Sequence, residues 1–177
     1  MKLEHWKEYL IEAWGLGTFM VSAGIFATLL YSPAFPFSMI IANDFLKGLL
    51  MGIAMGITAI AIIYSPWGKR SGAHINPAVT ITFFRLKKIT ALDAFGYIVA
   101  QFIGGLLGVL LVAVILGSSF TESPINYVVT VPGQWGWTIA LIAEFILSLV
   151  LMLMVLFTSN NHQLSKYTGI FAGFLVA

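Results

Sequence analysis

The residues of this sequence that could do chemistry lie in one short stretch, Asn76-Pro77-Ala78, which opens an apolar segment after a glycine-containing loop. Asparagine is a strong helix N-cap, and proline at the first helical position lacks the N–H group that would be unsatisfied there. A helix N-terminus carries about half a positive charge and several free N–H groups. The stretch therefore predicts a helix N-terminus whose hydrogen-bond donors can bind an oxygen atom of another molecule.

Catalytic and metal-binding patterns are not found in the sequence. It contains no cysteine, and its three scattered histidines, His5, His74 and His162, lack a cluster of carboxylates. No nucleophile lies beside a base, no carboxylates are paired, and no cofactor-binding loop is recognisable. The net charge of +2 is too small and too dispersed for a nucleic-acid partner. We therefore expect neither an enzyme nor a protein that binds a cofactor, a metal or nucleic acid.

The composition indicates that the elements carrying this stretch are membrane helices. Of the 177 residues, 59% are hydrophobic and 9% are charged, whereas soluble domains carry about 25% charged residues. A span needs roughly 20 mostly apolar residues to cross about 30 Å of hydrocarbon. Four stretches meet this length, at about residues 10–31, 45–66, 94–116 and 137–157, and a fifth opens near Tyr167. We predict an all-α protein embedded in the lipid bilayer as a single transmembrane domain over residues 1–177.

The positions of the cations predict the orientation, because Lys and Arg near span ends are retained on the cytoplasmic side. Lys2 and Lys7 precede the first span, five cations lie between residues 69 and 88, and Lys166 lies between the fourth and fifth spans. Only Lys47 falls on the opposite side. We expect a cytoplasmic N-terminus, in the plasma (inner) membrane.

The connection between the second and third spans, residues 65–92, is much longer than a tight turn. Its first part, residues 65–72, is typical of a turn-rich breaker. From Asn76 it is apolar for about ten residues, too short to cross a bilayer and suited to a re-entrant segment. Non-helical backbone at membrane depth must be covered by protein or line a watery cavity, so residues 71–75 are predicted to line a cavity. The alternative is an interfacial helix capped by Asn76.

Residues 71–80, SGAHINPAVT, resemble the first Asn-Pro-Ala signature of the aquaporin and glycerol-facilitator family, the major intrinsic proteins, over ten consecutive residues. Glu12 with the Gly-x-Gly-Thr-Phe stretch that follows it fits the same family, as do Tyr97, Ala100 and Gln101. The resemblance implies an aquaporin-like helical bundle with a re-entrant half-helix. It also implies a passive transmembrane channel for water, with small uncharged solutes as further permeants, that excludes protons and ions.

The resemblance also implies which residues line the pore. Asn76 would donate to a passing water at the pore centre, and Val79 would form part of an apolar wall. Met55 in the second span is the candidate for the constriction. The acceptors leading to Asn76 would be the backbone carbonyls of Gly72, Ala73 and His74.

Other residues would brace the pore. The resemblance implies that Glu12 and Gln101 support the re-entrant loop, and that Glu144 supports another. For both acids the alternative is an interfacial position at the end of a span. We expect the His74 side chain to pack or hydrogen-bond within the loop instead of relaying protons.

Glycines at four-residue intervals predict close contacts between helices in lipid. They recur in the second span and again in the third: Gly48, Gly52, Gly56, Gly104 and Gly108. This pattern concerns packing and does not by itself indicate a pore.

The resemblance implies six spans in two inverted repeats, a second Asn-Pro-Ala followed by an arginine, and a homotetramer with one pore per subunit. Residues 1–117 would form the first repeat and residues 136–177 the start of the second. About four and a half of the six spans are present, without the second motif. We therefore expect either that the polypeptide continues past Ala177 or that the product is truncated.

Three other functions remain open at this point. One is a glycerol or small-solute facilitator of the same family. Another is a secondary transporter, which also uses broken helices, although the span centres here carry no charge. The last is a truncated, non-conducting or structural membrane protein.

Overall fold

The structure, a computed structural model, describes residues 5–177. Lys2, one of the cations that predict the orientation, lies outside them. Secondary structure in this part of the chain is helical throughout, which confirms the all-α prediction. The α-helices are α1 (Trp6–Tyr31), α2 (Pro36–Ile40), α3 (Asp44–Tyr64), α4 (Pro66–Ser71), α5 (Pro77–Arg85), α6 (Ala91–Leu116), α7 (Ser118–Thr121), α8 (Gly136–Ser159) and α9 (Thr168–Val176). Short 3₁₀ turns lie at Asn126–Val128 and Ser165–Tyr167.

Four of the described helices, α1, α3, α6 and α8, are long and apolar enough to cross a membrane. Their bounds lie within four residues of the four predicted spans. Helix α9 opens where the fifth span was predicted to begin. The protein is therefore an integral membrane protein with a bundle of apolar helices.

Helices α1 and α6 pack along each other through small residues. A Cβ atom on Gly104 would collide with the carbonyl oxygen of Ala13, and one on Gly17 would lie 2.9 Å from the carbonyl oxygen of Gly104. The predicted close contact at Gly104 is confirmed. This approach brings Glu12 of α1 and Gln101 of α6, one turn away, within hydrogen-bonding distance of each other.

Helix α3 packs against α1 on one side and α9 on another. A Cβ atom on Gly56 would collide with Gly173 of α9, and one on Gly52 would collide with Ala177, which follows α9. No atom of another element lies within 4 Å of the same position on Gly48, so the first glycine of this predicted row makes no close contact with described residues. Helix α8 packs against α9 and turns most of its side chains outward.

The structure corrects one prediction about the connection between α3 and α6. Residues 65–72 were expected to be a turn-rich breaker, yet they contain the helix α4. The Ser65 hydroxyl accepts a hydrogen bond from Gly68 N at 2.8 Å, and Pro66 occupies the first helical turn. Gly72 then ends the helix with a left-handed φ of 87°. A serine cap, a proline at the start and a glycine at the end are together sufficient for a short helix.

Candidate functional site

Helix α4 runs into an irregular loop, residues 72–76, which is followed by the half-helix α5. Ala73 and Ile75 of loop 72–76 have left-handed backbones, with φ of 45° and 40°. This conformation is rare for a residue with a side chain and is most unfavourable for a β-branched one. Each such residue costs on the order of 1–3 kcal/mol and persists only where the surroundings hold it in place.

Asn76 ends the loop and caps α5, as the sequence predicted. Its backbone is extended, with φ −155° and ψ 124°, and its Oδ1 accepts a hydrogen bond from Ala78 N at 2.7 Å. Pro77 follows at the first helical position. Asn76 is exposed, and its side-chain amide nitrogen has no hydrogen-bond partner among the described residues. The amide N–H groups are therefore available to a molecule that reaches the start of α5.

Glu12 of α1 is completely buried and holds the loop from behind. Its Oε1 accepts hydrogen bonds from Ser71 Oγ at 2.7 Å and His74 N at 3.1 Å. Its Oε2 accepts from Ile75 N at 2.7 Å and Gln101 Nε2 at 2.8 Å. Since all four partners donate, the carboxyl group acts only as an acceptor, as an ionised carboxylate does.

These bonds determine the direction of the loop carbonyls. In a trans peptide the C=O of one residue points opposite to the N–H of the next. The N–H groups of His74 and Ile75 point at Glu12, and that of Ala73 points at Ser71 Oγ at 3.1 Å. The carbonyls on the other side of these three planes, those of Gly72, Ala73 and His74, therefore point away from Glu12. None of them accepts a hydrogen bond from a described residue.

The His74 side chain lies inside the same polar cluster. Its Nδ1 is 3.1 Å from Thr80 Oγ1, and its ring stacks on Phe83 with centroids 4.9 Å apart. The Thr80 hydroxyl also accepts from Gln101 Nε2 at 3.0 Å. Tyr97 fixes the end of α4 by donating its hydroxyl to Ser71 O at 2.7 Å. The His74 side chain thus packs and hydrogen-bonds, as expected, but these partners, Thr80 and Phe83, belong to α5 and not to the loop itself.

The remaining candidate residues lie apart from this cluster. Val79 is half-buried in the first turn of α5, and Met55 is buried on α3. Glu144 is exposed on α8 and makes no hydrogen bond or ion pair with the residues that the structure describes. The prediction that it braces a loop therefore stays a prediction.

Ser71 was predicted to line a cavity with residues 72–75, but it is buried at the end of α4 and bonds to Glu12. The sequence analysis gave Thr80 no role of its own, although it belongs to the cluster. Thr80 lies four residues after the cap Asn76, a spacing at which a threonine hydroxyl can bond to the backbone carbonyl of the cap. That signal was present in the sequence. No comparable signal marks Ser71, because its bond to Glu12 depends on how α1 and α4 pack.

A second polar group anchors the beginning of α1. Arg70 Nε lies 2.9 Å from a carboxylate oxygen of Glu8, and Tyr9 donates its hydroxyl to Asp93 at 2.8 Å. These bonds connect the N-terminal part of α1 to the last turn of α4 and to the first turn of α6. No three His, Asp or Glu side chains among residues 5–177 come together in a way that could hold a metal ion.

The fold and this cluster define a polytopic membrane protein with a half-helix that begins at an Asn-Pro-Ala sequence. The chain belongs to the major intrinsic protein family, whose sequence model matches residues 1–177.

Individual relatives agree with this assignment. The chain is 33% identical to glycerol uptake facilitator protein-like 6 of Lactiplantibacillus plantarum over 178 aligned positions, which cover 97% of this chain and 72% of the relative. It is 30% identical to aquaporin Z of Photorhabdus laumondii, covering 83% and 64% of the two chains. It is 32% identical to aquaporin AqpM of Methanothermobacter marburgensis, covering 72% and 52%. The chain thus spans about half the length of some curated relatives that it matches.

Proposed function

We propose that this protein forms a passive channel for water, and that loop 72–76 and the start of α5 line the path. The observation that carries this proposal concerns the carbonyl oxygens of Gly72, Ala73 and His74, which precede Asn76 in the chain. Neither these oxygens nor the amide nitrogen of Asn76 has a hydrogen-bond partner among residues 5–177. Acceptors followed by donors form a polar path in an otherwise apolar bundle. Membership in the major intrinsic protein family supports the same function.

The path orients water in a definite way. The carbonyl oxygens accept hydrogen bonds from successive waters, while the Asn76 amide and the N-terminus of α5 donate to a water oxygen. A water held by its oxygen cannot readily relay a proton along a hydrogen-bonded file, and positive half-helix ends are a barrier to protons and cations. The exclusion of protons and ions is therefore part of the proposal.

Apolar walls complete this mechanism. Val79 in the first turn of α5 and Met55 on α3 are the candidates for an apolar wall and a constriction. An apolar wall limits the number of hydrogen bonds that a permeant can make, so that it leaves as readily as it enters.

A small uncharged solute such as glycerol is the second candidate permeant. It is favoured by the relative from Lactiplantibacillus plantarum, a glycerol uptake facilitator-like protein that aligns with 97% of this chain. Water and glycerol fluxes measured on the same proteoliposomes distinguish the two permeants.

The organisation of the complete channel is also a proposal. We propose that residues 1–117 form one of two inverted repeats and residues 136–177 the start of the other, with Glu144 equivalent to Glu12. Lys7 in the first turn of α1, Arg85 at the end of α5, and Lys87 and Lys88 after it support a cytoplasmic N-terminus in the plasma (inner) membrane. We further propose a homotetramer with one path per subunit.

The test is osmotic water flux into proteoliposomes that contain the protein expressed from its complete coding sequence, with the variant Asn76→Asp. Aspartate caps a helix as well as asparagine does, so α5 is retained while the free amide donor is replaced by an acceptor oxygen. We expect water flux to fall severalfold and cation leakage to rise. The matched control is Asn43→Asp, because Asn43 caps α3 in the same way, accepting from Leu46 N at 3.1 Å, outside the loop.

Wild-type flux equal to that of empty liposomes would refute the channel. If the wild type conducts water and Asn76→Asp shows the same water flux and the same cation exclusion, the assignment of Asn76 to the path is refuted.

A further inference from the structure

The hydroxyl of Thr80 contacts three parts of the structure, and none of these contacts involves Glu12. Thr80 is completely buried in the first turn of α5. Its Oγ1 lies 3.2 Å from Asn76 O, 3.1 Å from His74 Nδ1 and 3.0 Å from Gln101 Nε2. One atom thus joins the cap of α5, the loop and α6.

Counting donors and acceptors fixes the state of the His74 ring. A hydroxyl has one proton to donate and two lone pairs to accept with. Asn76 O can only accept and Gln101 Nε2 can only donate, so these two bonds use the proton and one lone pair. The Thr80 hydroxyl can make its third bond at the same time only by accepting a hydrogen bond from His74 Nδ1. A neutral His74 must then carry its proton on Nδ1, with Nε2 unprotonated.

We propose that Thr80 is a positioning residue: its hydroxyl selects the Nδ1–H tautomer of His74 and thereby holds the carbonyls of loop 72–76 in the orientation that passing water needs. This inference rests on the proposed channel function for its effect on flux, but not for its effect on the His74 ring. Glu12 holds the loop by the N–H groups of His74 and Ile75. Thr80 holds it by the side chain of His74 and the carbonyl of Asn76, on the α5 side.

We expect the loop to need the hydrogen bonds of both Glu12 and Thr80, because its backbone is strained. Ile75 has a left-handed backbone and lies between His74 and Asn76, the two residues that bond to Thr80. With one attachment absent, the peptide planes on that side can rotate about the strained residue. The carbonyl of His74 lies on such a plane.

The experiment compares Thr80→Val, which is similar in shape and lacks the hydroxyl, with Thr80→Ser, which keeps it. The matched control is Thr82→Val. Thr82 lies on the same helix and donates to the backbone oxygen of Ala78 at 3.0 Å, but its hydroxyl bonds to no other element in the described part of the chain. Each protein is purified from its complete coding sequence and examined both for water flux in proteoliposomes and by nitrogen NMR of ¹⁵N-labelled histidine.

The NMR signals of protonated and unprotonated imidazole nitrogens are well separated, so they report the tautomer directly. The His74 signals are assigned as those that disappear in the variant His74→Gln. We expect an Nδ1–H ring at His74 in the wild type, in Thr80→Ser and in Thr82→Val, and a loss of this signature in Thr80→Val. We expect water flux to fall roughly two- to tenfold in Thr80→Val, as for the loss of one or two buried hydrogen bonds, and to be retained in Thr80→Ser and Thr82→Val.

Several outcomes would overturn the inference. A wild-type His74 ring protonated on Nε2 contradicts it whatever the variants do, and this measurement needs no folded Thr80→Val. An unchanged tautomer and wild-type flux in Thr80→Val also contradict it. If the wild type conducts no water, the proposed function fails, while the NMR comparison of Thr80→Val with Thr80→Ser still decides the role of Thr80 on the ring.

Discussion

Replacing Glu12 by glutamine is the sharpest test of how the loop is held. The substitution keeps the size of the side chain and its burial between α1, α4 and α6. It replaces one oxygen by an NH₂ group, which cannot accept a hydrogen bond. On either carboxylate oxygen one of the two donors is a backbone N–H, that of His74 or that of Ile75. A side-chain partner can rotate to offer an oxygen, but a backbone N–H cannot.

The magnitude follows from these bonds. One backbone N–H is left without a partner in a buried site, which costs about 1–3 kcal/mol. The remaining bonds go to a neutral oxygen instead of a charged one and weaken from about 1.5–3 kcal/mol to about 1 kcal/mol each. The orientation of loop 72–76 therefore loses on the order of 5 kcal/mol of support. Removal of a charge from membrane depth offsets several kcal/mol of this in the stability of the whole protein, but it does not restore the peptide orientation.

We therefore expect Glu12→Gln to lower water flux by more than about tenfold, since about 1.4 kcal/mol corresponds to tenfold, with little change in thermal stability. The assay is osmotic flux in proteoliposomes, together with the unfolding temperature of the same sample in detergent. Glu122→Gln is the matched control, because Glu122 is exposed and its side chain makes no hydrogen bond with described residues. Wild-type flux in Glu12→Gln would refute the reasoning that the N–H bonds to Glu12 orient the loop carbonyls.

Two further predictions concern packing and the second acid. Gly104→Ala should lower the unfolding temperature, because its Cβ would collide with the carbonyl of Ala13 and overpacking costs about 1–3 kcal/mol; Gly48→Ala, where no atom lies within 4 Å, should leave it unchanged, and equal effects would contradict the close contact. Glu144→Gln should lower water flux severalfold if Glu144 braces a second loop as proposed, and unchanged flux would mean that it is an interfacial acid.

Local elements of the site were predictable from the sequence because they depend on neighbouring residues. Asn76 followed by Pro77 predicts a helix start, and the structure has the cap and the half-helix at these positions. The same reasoning applied to Ser65 and Pro66 would have found α4, which was instead interpreted as a breaker. Gly68 and Gly72 favour a turn in this stretch, but the cap at Ser65 and Pro66 in the first turn are sufficient for a short helix.

Contacts between residues far apart in the sequence were harder to predict. Gln101 lies 89 residues from Glu12, and its bond to Glu12 requires the close approach of α1 and α6. The glycine spacing indicated that approach, and the family resemblance placed both side chains at the re-entrant loop, but neither indicated that Glu12 and Gln101 bond to each other. The left-handed backbones of Ala73 and Ile75 have no sequence signal at all, because neither residue type favours them. Such a conformation is imposed by Glu12 through the bonds that it accepts.

The need for a buried carboxylate follows from what a loop at membrane depth must do. Its N–H groups have to be satisfied by protein, because hydrocarbon offers no partner, while a conducting path needs its C=O groups free. The structure meets both conditions by placing them on opposite sides of the same peptide planes. The N–H side of the loop needs an acceptor for several converging donors. A neutral amide or hydroxyl supplies too few lone pairs in the required geometry. An acid at position 12 costs several kcal/mol of desolvation, which its four hydrogen bonds offset. It leaves the carbonyl side without a partner among the described residues, as the proposed channel function requires.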